Sequence, residues 1–214
     1  MTRLYVVGEG LTETTFVRDI LAPHMEQRWP AKLAVQAPNL RGRCAYAEVK
    51  KLIRALLGNP AAEVFVTTMI DLYKLPGDFP GHAARGGHEN ARQRVEEMER
   101  FLFEDVADRR FIPHLQLHEF EALILTDALS LAKYYPNRKD ELRKLAVSVE
   151  KDFRSPEEVN RITPPSRRIR AAVPEYQKAL FGISAVADLG LERIRDKCGH
   201  FDGWLQRLER LIDA

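Results

Sequence analysis

Apolar positions in the first half of the chain follow two rhythms that alternate. Leu4-Tyr5-Val6-Val7 is a short run rich in β-branched and aromatic residues, the pattern of a buried strand. Phe16, Val17, Ile20 and Leu21 then recur at helical spacing, with Thr12 placed as N-cap and Glu13 in the first turn. Residues 32–36, KLAVQ, predict a second strand ended by Pro38-Asn39. A second helix is expected from about Tyr46, with Val49, Leu52, Ile53, Leu56 and Leu57 on one face and Gly58-Asn59-Pro60 as its stop. The run EVFVTTMI predicts a third strand that ends at Asp71. After it, DLYKLPGDFPGHAARGGHEN is a long loop dense in Gly and Pro. A third helix is expected over about Arg92–Val106, with Val95, Met98, Leu102 and Val106 facing inward. The stretch RFIPHLQLHEFEALILTD then reads as a fourth strand running into a helix. Strand and helix alternating in this way predict an α/β fold, a mostly parallel sheet covered on both faces.

Beyond about Asn137 the pattern changes. Leu142–Val149 and Pro156–Val159 read as helical, and RITPPSRRIRAAVPEYQKALFG brings three prolines and a basic cluster. The end reads as two helices separated by Gly199–Gly203, with Trp204, Leu205, Leu208 and Ile212 forming an apolar stripe. The expected organisation is an α/β domain over residues 1–136 and a helical extension over 137–214 packed on it. A chain of 214 residues that is 45% hydrophobic and 30% charged has the makings of a soluble globular core. Its apolar runs are too short to span a bilayer, and it opens on a strand with no signal peptide, so no membrane partner is expected. Its two cysteines, Cys44 and Cys198, lack metal-ligand spacing and fit a reducing cytoplasm. Net charge is only +2, which argues against a uniformly basic nucleic-acid coat but leaves room for local arginine clusters.

The candidate chemistry begins at Gly8-Glu9-Gly10, where the first strand gives way to a helix. The opening resembles G-x-G-x-x-G, but Glu13 occupies the third glycine position, and a carboxylate facing a pyrophosphate costs several kcal/mol in a cleft. Glu9 is therefore read as a carboxylate that binds a hard cation or moves a proton, against the plainer reading of an exposed acid in a glycine-framed turn. Asp71 ends the third strand, and Glu119 and Glu121 follow the fourth. In a parallel sheet these strand ends share one edge, where such folds bind ligands. Carboxylates gathered there repel one another unless a divalent cation compensates them, and Mg²⁺ or Mn²⁺ is the natural choice.

With those residues in hand, the chain resembles the Toprim fold of topoisomerases, primases and related nucleases. Glu9 matches that fold's early E-G glutamate, flanked by Gly8 and Gly10 and followed by Glu13, and Asp71 the first Asp of its D-x-D. Tyr73 stands where the second Asp belongs, and HEFEAL resembles the acidic segment that would let Glu119 or Glu121 replace it. The phrases VTTMIDLYKLPGDFPG, FIPHLQLHEFEAL, ITPPSRRI and IRDKCGHFDGWL further resemble the bacterial domain-of-unknown-function family 4276. The resemblance implies a Toprim-like, Rossmann-like sheet and a metal-dependent nuclease working beside an ATPase in anti-phage or mobile-element defence. Under it, Glu9, Asp71 and Glu121 are catalytic and, with Glu119, bind metal. Lys74, Arg85, Arg167 and Arg170 would contact nucleic acid, DNA or RNA, and His118 would support the site. A non-catalytic adaptor that keeps the scaffold and docks the ATPase is the second reading, prompted by Tyr73.

Overall fold

The computed structural model describes residues 1–42, 44–59, 63–82, 91–159 and 163–211. The chain divides into two compact units, one of residues 1–116 and 206–214, the other of residues 117–205. The first is built on a sheet in which every pairing is parallel. Strand β1 (Thr2–Gly8) lies between β2 (Leu33–Gln36) and β3 (Val64–Asp71), and β4 (Phe111–Ile112) and β5 (Leu115–Gln116) both pair with β3. Leu4, Val6 and Val7 of β1 and Val64 and Val66 of β3 are fully buried, as expected for strands covered on both faces.

A helical stretch links β1 to β2: α1 (Leu11–Phe16), a π-helical turn (Val17–Leu21) and α2 (Ala22–Arg28). The π turn ends two residues before Pro23, whose missing N–H and bulky ring disturb the regular ladder. Helix α3 (Tyr46–Leu57) links β2 to β3 and stops at Gly58 as its sequence predicts. Helix α4 (Ala91–Val106) precedes β4 and buries Val95, Met98, Leu102 and Val106. The path turns back across β1 on its way from β2 to β3, and the right-handed crossovers that parallel strands favour then put the first helical stretch on one face and α3 and α4 on the other.

In this unit two local expectations differ from the structure. The first helix starts at Leu11 with Gly10 as its N-cap, not at Thr12. Gly10 is extended, its carbonyl accepts from Thr14 N–H (3.2 Å) and Thr14 Oγ1 (2.9 Å), and Glu13 Oε2 accepts its N–H at 3.0 Å. The fourth strand is broken in two. Pro113 has no N–H to give the ladder, and the Thr68 hydroxyl takes its place, donating to His114 O (2.8 Å) and accepting His114 N–H (3.0 Å).

The second unit is helical: α5 (Glu121–Ile124), α6 (Lys139–Asp152), α7 (Pro165–Ala172), α8 (Ile183–Leu189), α9 (Leu191–Lys197) and the start of α10 (Gly199–Glu209). The expected break at Gly199–Gly203 falls instead at Cys198, and both glycines lie inside α10. The buried Glu157 carboxylate explains the restart, since it accepts the N–H groups of His200 (2.9 Å) and Phe201 (3.0 Å) at that helix's N-terminus. Phe201 and Trp204 pack edge to face at 5.5 Å. Helix α7 begins at Pro165 with Pro164 as N-cap, and Ser166 lies in its first turn. No helix of the described residues is long and apolar enough to cross a membrane.

Candidate functional site

The order β2-β1-β3-β4 reverses direction at β1. In open parallel sheets the crevice outside the carboxyl ends of the strands at such a reversal is where ligands bind, because the flanking connections leave in opposite directions and leave it open. Glu9 is the first residue beyond β1, and Asp71 is the last of β3. Gly8 pairs with Met69 in the parallel register, and Glu9 N–H donates to Met69 O at 3.3 Å. The two acids predicted to share an edge therefore flank this reversal point on adjacent strands.

The turn that carries Glu9 is clamped by its neighbours. Gly8 N–H donates to Pro38 O (2.9 Å), Leu40 N–H to Gly8 O (3.0 Å), and Gly42 N–H to Glu9 O (3.1 Å). A Cβ at Gly8 would stand 2.9 Å from Glu13 Cβ, so only glycine lets the helix start this close to the strand. At Gly10 the same Cβ would meet only Glu13 Oε2, at 3.7 Å. Beside this turn an open cleft of about 400 Å³ runs between the residues after β2 and α3, lined by Arg41 and Lys51 next to Leu40 and Leu52.

Asp71 is 8% exposed, and its Oδ1 accepts Tyr73 N–H at 2.9 Å, which holds the carboxylate against the turn after β3. The register places Gln116 of β5 opposite Asp71, with its Nε2 buried and unpaired. Tyr73, standing in the second position of the D-x-D pattern, receives Arg94 Nη2 on its hydroxyl at 2.8 Å. Nothing in the sequence joins these two residues: the reach from α4 back to the end of β3 is visible only in three dimensions. Behind β5 lies another unforeseen group. Glu99 Oε1 accepts Leu115 N–H (2.9 Å) and stands 3.5 Å from His114 Nδ1, while Glu99 Oε2 is 3.4 Å from Arg207 Nη2.

In the second unit Glu119 and Glu121 share one turn but have separate duties. Glu119 Oε2 accepts Ser166 N–H at 2.9 Å in the first turn of α7. Glu121, 2% exposed, meets Lys178 Nζ at 3.0 Å, so its charge is balanced within that unit. Tyr176 is buried against Gly182, and burial first, then the negative charge of Glu121, push its phenol well above the usual range. His118 is buried, and Arg167 and Arg170 are exposed on α7. The Lys74 side chain and Arg85 lie outside what is described.

Glu9 and Asp71 carry carboxylate oxygens, the kind of donor that hard divalent ions such as Mg²⁺ and Mn²⁺ take, and the Asp71 carboxylate is fixed by a backbone N–H. No curated protein matches the chain in sequence. Among solved structures, the C-terminal region of the Xanthomonas campestris pv. campestris OLD protein is similar over 96% of this chain and 95% of that one, at 13% identity and a TM-score of 0.41. At that distance the likeness does not extend to chemistry. Residues 8–209 match the family model described as domain of unknown function DUF4276, and the chain belongs to that family.

Proposed function

We propose that the protein is a divalent-metal-dependent phosphodiesterase that cuts nucleic acid. The observation that carries this reading is the placement of Glu9 and Asp71 at the carboxyl ends of adjacent parallel strands where the strand order reverses. These two carboxylates would hold Mg²⁺ or Mn²⁺, which would supply a Lewis acid for the phosphoryl oxygens and an activated water. The protein's own residues do the rest. Asp71 keeps a fixed orientation through Tyr73 N–H. Glu9, on a turn held by four backbone hydrogen bonds to its own residue and to Gly8, accepts the proton of the attacking water. Arg41 and Lys51 grip the backbone of the strand in the adjoining cleft, with Leu40 and Leu52 offering an apolar surface to a base. Within the second unit, Glu119 meets the first turn of α7, the helix that also carries Arg167 and Arg170, and the Lys178 pairing makes Glu121 the weaker metal ligand. The Toprim-like resemblance supports the same chemistry and adds a partner ATPase in a defence or mobile-element system.

The test is cleavage of supercoiled plasmid and of single-stranded DNA and RNA in Mg²⁺ or Mn²⁺ by wild type, Glu9→Gln and Asp71→Asn. Metal-dependent cleavage lost in both variants supports the reading, and equal cleavage by all three proteins sinks it. The adaptor reading draws on the Arg94 cation lying beside Tyr73, where a further acid would have helped to hold metal. Calorimetry separates the two, because an adaptor shows no Mn²⁺ binding that depends on Glu9.

A further inference from the structure

Among the described residues, nothing balances the charge of Arg94. It lies in α4 and is 9% exposed, yet among the described residues no carboxylate stands within ion-pair distance of it. Its neighbours on the same helix are paired, Arg92 with Glu96 at 2.8 Å and Arg100 with Glu104 at 2.7 Å. Arg94 Nη2 donates to the neutral hydroxyl of Tyr73, the guanidinium carbon lies 5.1 Å over the Tyr73 ring, and Nε is buried without a hydrogen-bond partner. A ring face offers a cation less than burying an uncompensated charge costs. Such a cation is retained where an anion arrives to meet it.

The surroundings name the anion. Tyr73 is two residues past Asp71 and is tied to it through the Asp71 Oδ1 bond, so the guanidinium is fastened to the segment that carries the acid at the strand end. Carboxylates at that edge repel a phosphodiester, and a planar fork with an unused Nε–H matches two oxygens of one phosphate. We propose that Arg94 binds a phosphate of the nucleic-acid substrate and that Tyr73 is the residue that positions its guanidinium. This rests on the phosphodiesterase reading and adds a substrate-binding residue on α4.

The experiment uses the full chain in EDTA, where the metal plays no part. Wild type, Arg94→Met and Tyr73→Phe are titrated with a fluorescein-labelled single-stranded oligonucleotide and, separately, melted with and without inorganic phosphate. Arg94→Met is expected to bind the oligonucleotide about ten- to a hundredfold more weakly, the effect of one charged hydrogen-bonded contact. Its salt dependence, log affinity against log salt, falls in slope by about 0.7. Its Tm stays within about 3 °C of wild type, because removing an unbalanced buried charge does not weaken the fold. Tyr73→Phe, which keeps the ring, weakens binding by a smaller factor, and Mn²⁺ affinity by calorimetry is unchanged in both. Wild-type binding by Arg94→Met, or a collapse of its Tm, overturns the proposal by making Arg94 inert or structural. Phosphate that raises the Tm of wild type but not of Arg94→Met, with no oligonucleotide bound by either, keeps the phosphate contact and removes the nucleic-acid reading. Absence of Mn²⁺ binding in wild type alongside the Arg94-dependent loss removes the metal reading alone.

Discussion

Gly8→Ala tests whether the strand-to-helix turn is as tightly built as its contacts require. The new Cβ would sit 2.9 Å from Glu13 Cβ, with Thr14 N next at 3.5 Å. Carbon atoms prefer at least about 3.5 Å, so the approach is short by roughly 0.6 Å. No rotamer relieves it, because the Cβ of Glu13 is fixed by the first turn of α1. Either α1 moves outward or β1 slips, and slipping strains the Gly8 bonds to Pro38 and Leu40. Overpacking of this kind costs about 1–3 kcal/mol. For a chain of this size each kcal/mol lowers Tm by about 2–4 °C, so a fall of about 2–12 °C is expected in a thermal melt. Because Glu9 rides on the same turn, Mn²⁺ affinity measured by calorimetry should fall as well. The control is Gly10→Ser, whose Cβ meets only an ordinary contact at 3.7 Å and whose hydroxyl can cap α1, so its Tm should equal or exceed wild type. A Gly8→Ala protein that melts with wild type and binds Mn²⁺ equally would show that the close approach does not hold Glu9 in place.

Glu9→Gln and Asp71→Asn are each expected to lower metal-dependent cleavage by about 10²–10³-fold in single-turnover assays while leaving the circular dichroism spectrum unchanged. Cys198 is fully buried, and burial first, then the charge of Glu157, push its thiol up. Iodoacetamide at pH 8 should therefore label it only after urea unfolding, as read by peptide mass spectrometry. Tyr46 donates its phenol to Asp105, which Lys50 also meets at 2.6 Å, and burial followed by this bond raises the Tyr46 pKa. The folded form thus keeps a proton that the unfolded chain releases near pH 10. The Tyr46 contribution is fully present below that pH and is lost progressively as pH rises from there through the raised folded-state pKa. Urea midpoints should fall above pH 10 in wild type and fall less in Tyr46→Phe.

Strand ends were legible because a buried parallel strand is a short apolar run, and its last residue marks the sheet edge whatever lies elsewhere in the chain. Val64–Asp71 and Thr2–Gly8 obey that rule, which is why Glu9 and Asp71 could be assigned to one edge in advance. Boundaries set by a single side chain were not legible. Gly10 rather than Thr12 caps α1 because Glu13 folds back onto its N–H, and Glu157 restarts the chain as α10 from far away in sequence. The split of the fourth strand depends on the Thr68 hydroxyl repairing a gap at Pro113, and a hydroxyl in the middle of VFVTTMID carries no such label. The Arg94–Tyr73 pair escaped for a related reason: a buried arginine on an amphipathic helix reads like any solvated one until its surroundings are seen.

Crystals grown with Mn²⁺ and measured for anomalous scattering put the whole account at risk in one map. The expected result is a peak bounded by the Glu9 and Asp71 carboxylates, with oxygens about 2.0–2.6 Å away. Manganese bound elsewhere, with those two side chains ordered and pointing into different surroundings, would contradict the assignment of the strand-end acids to a metal site.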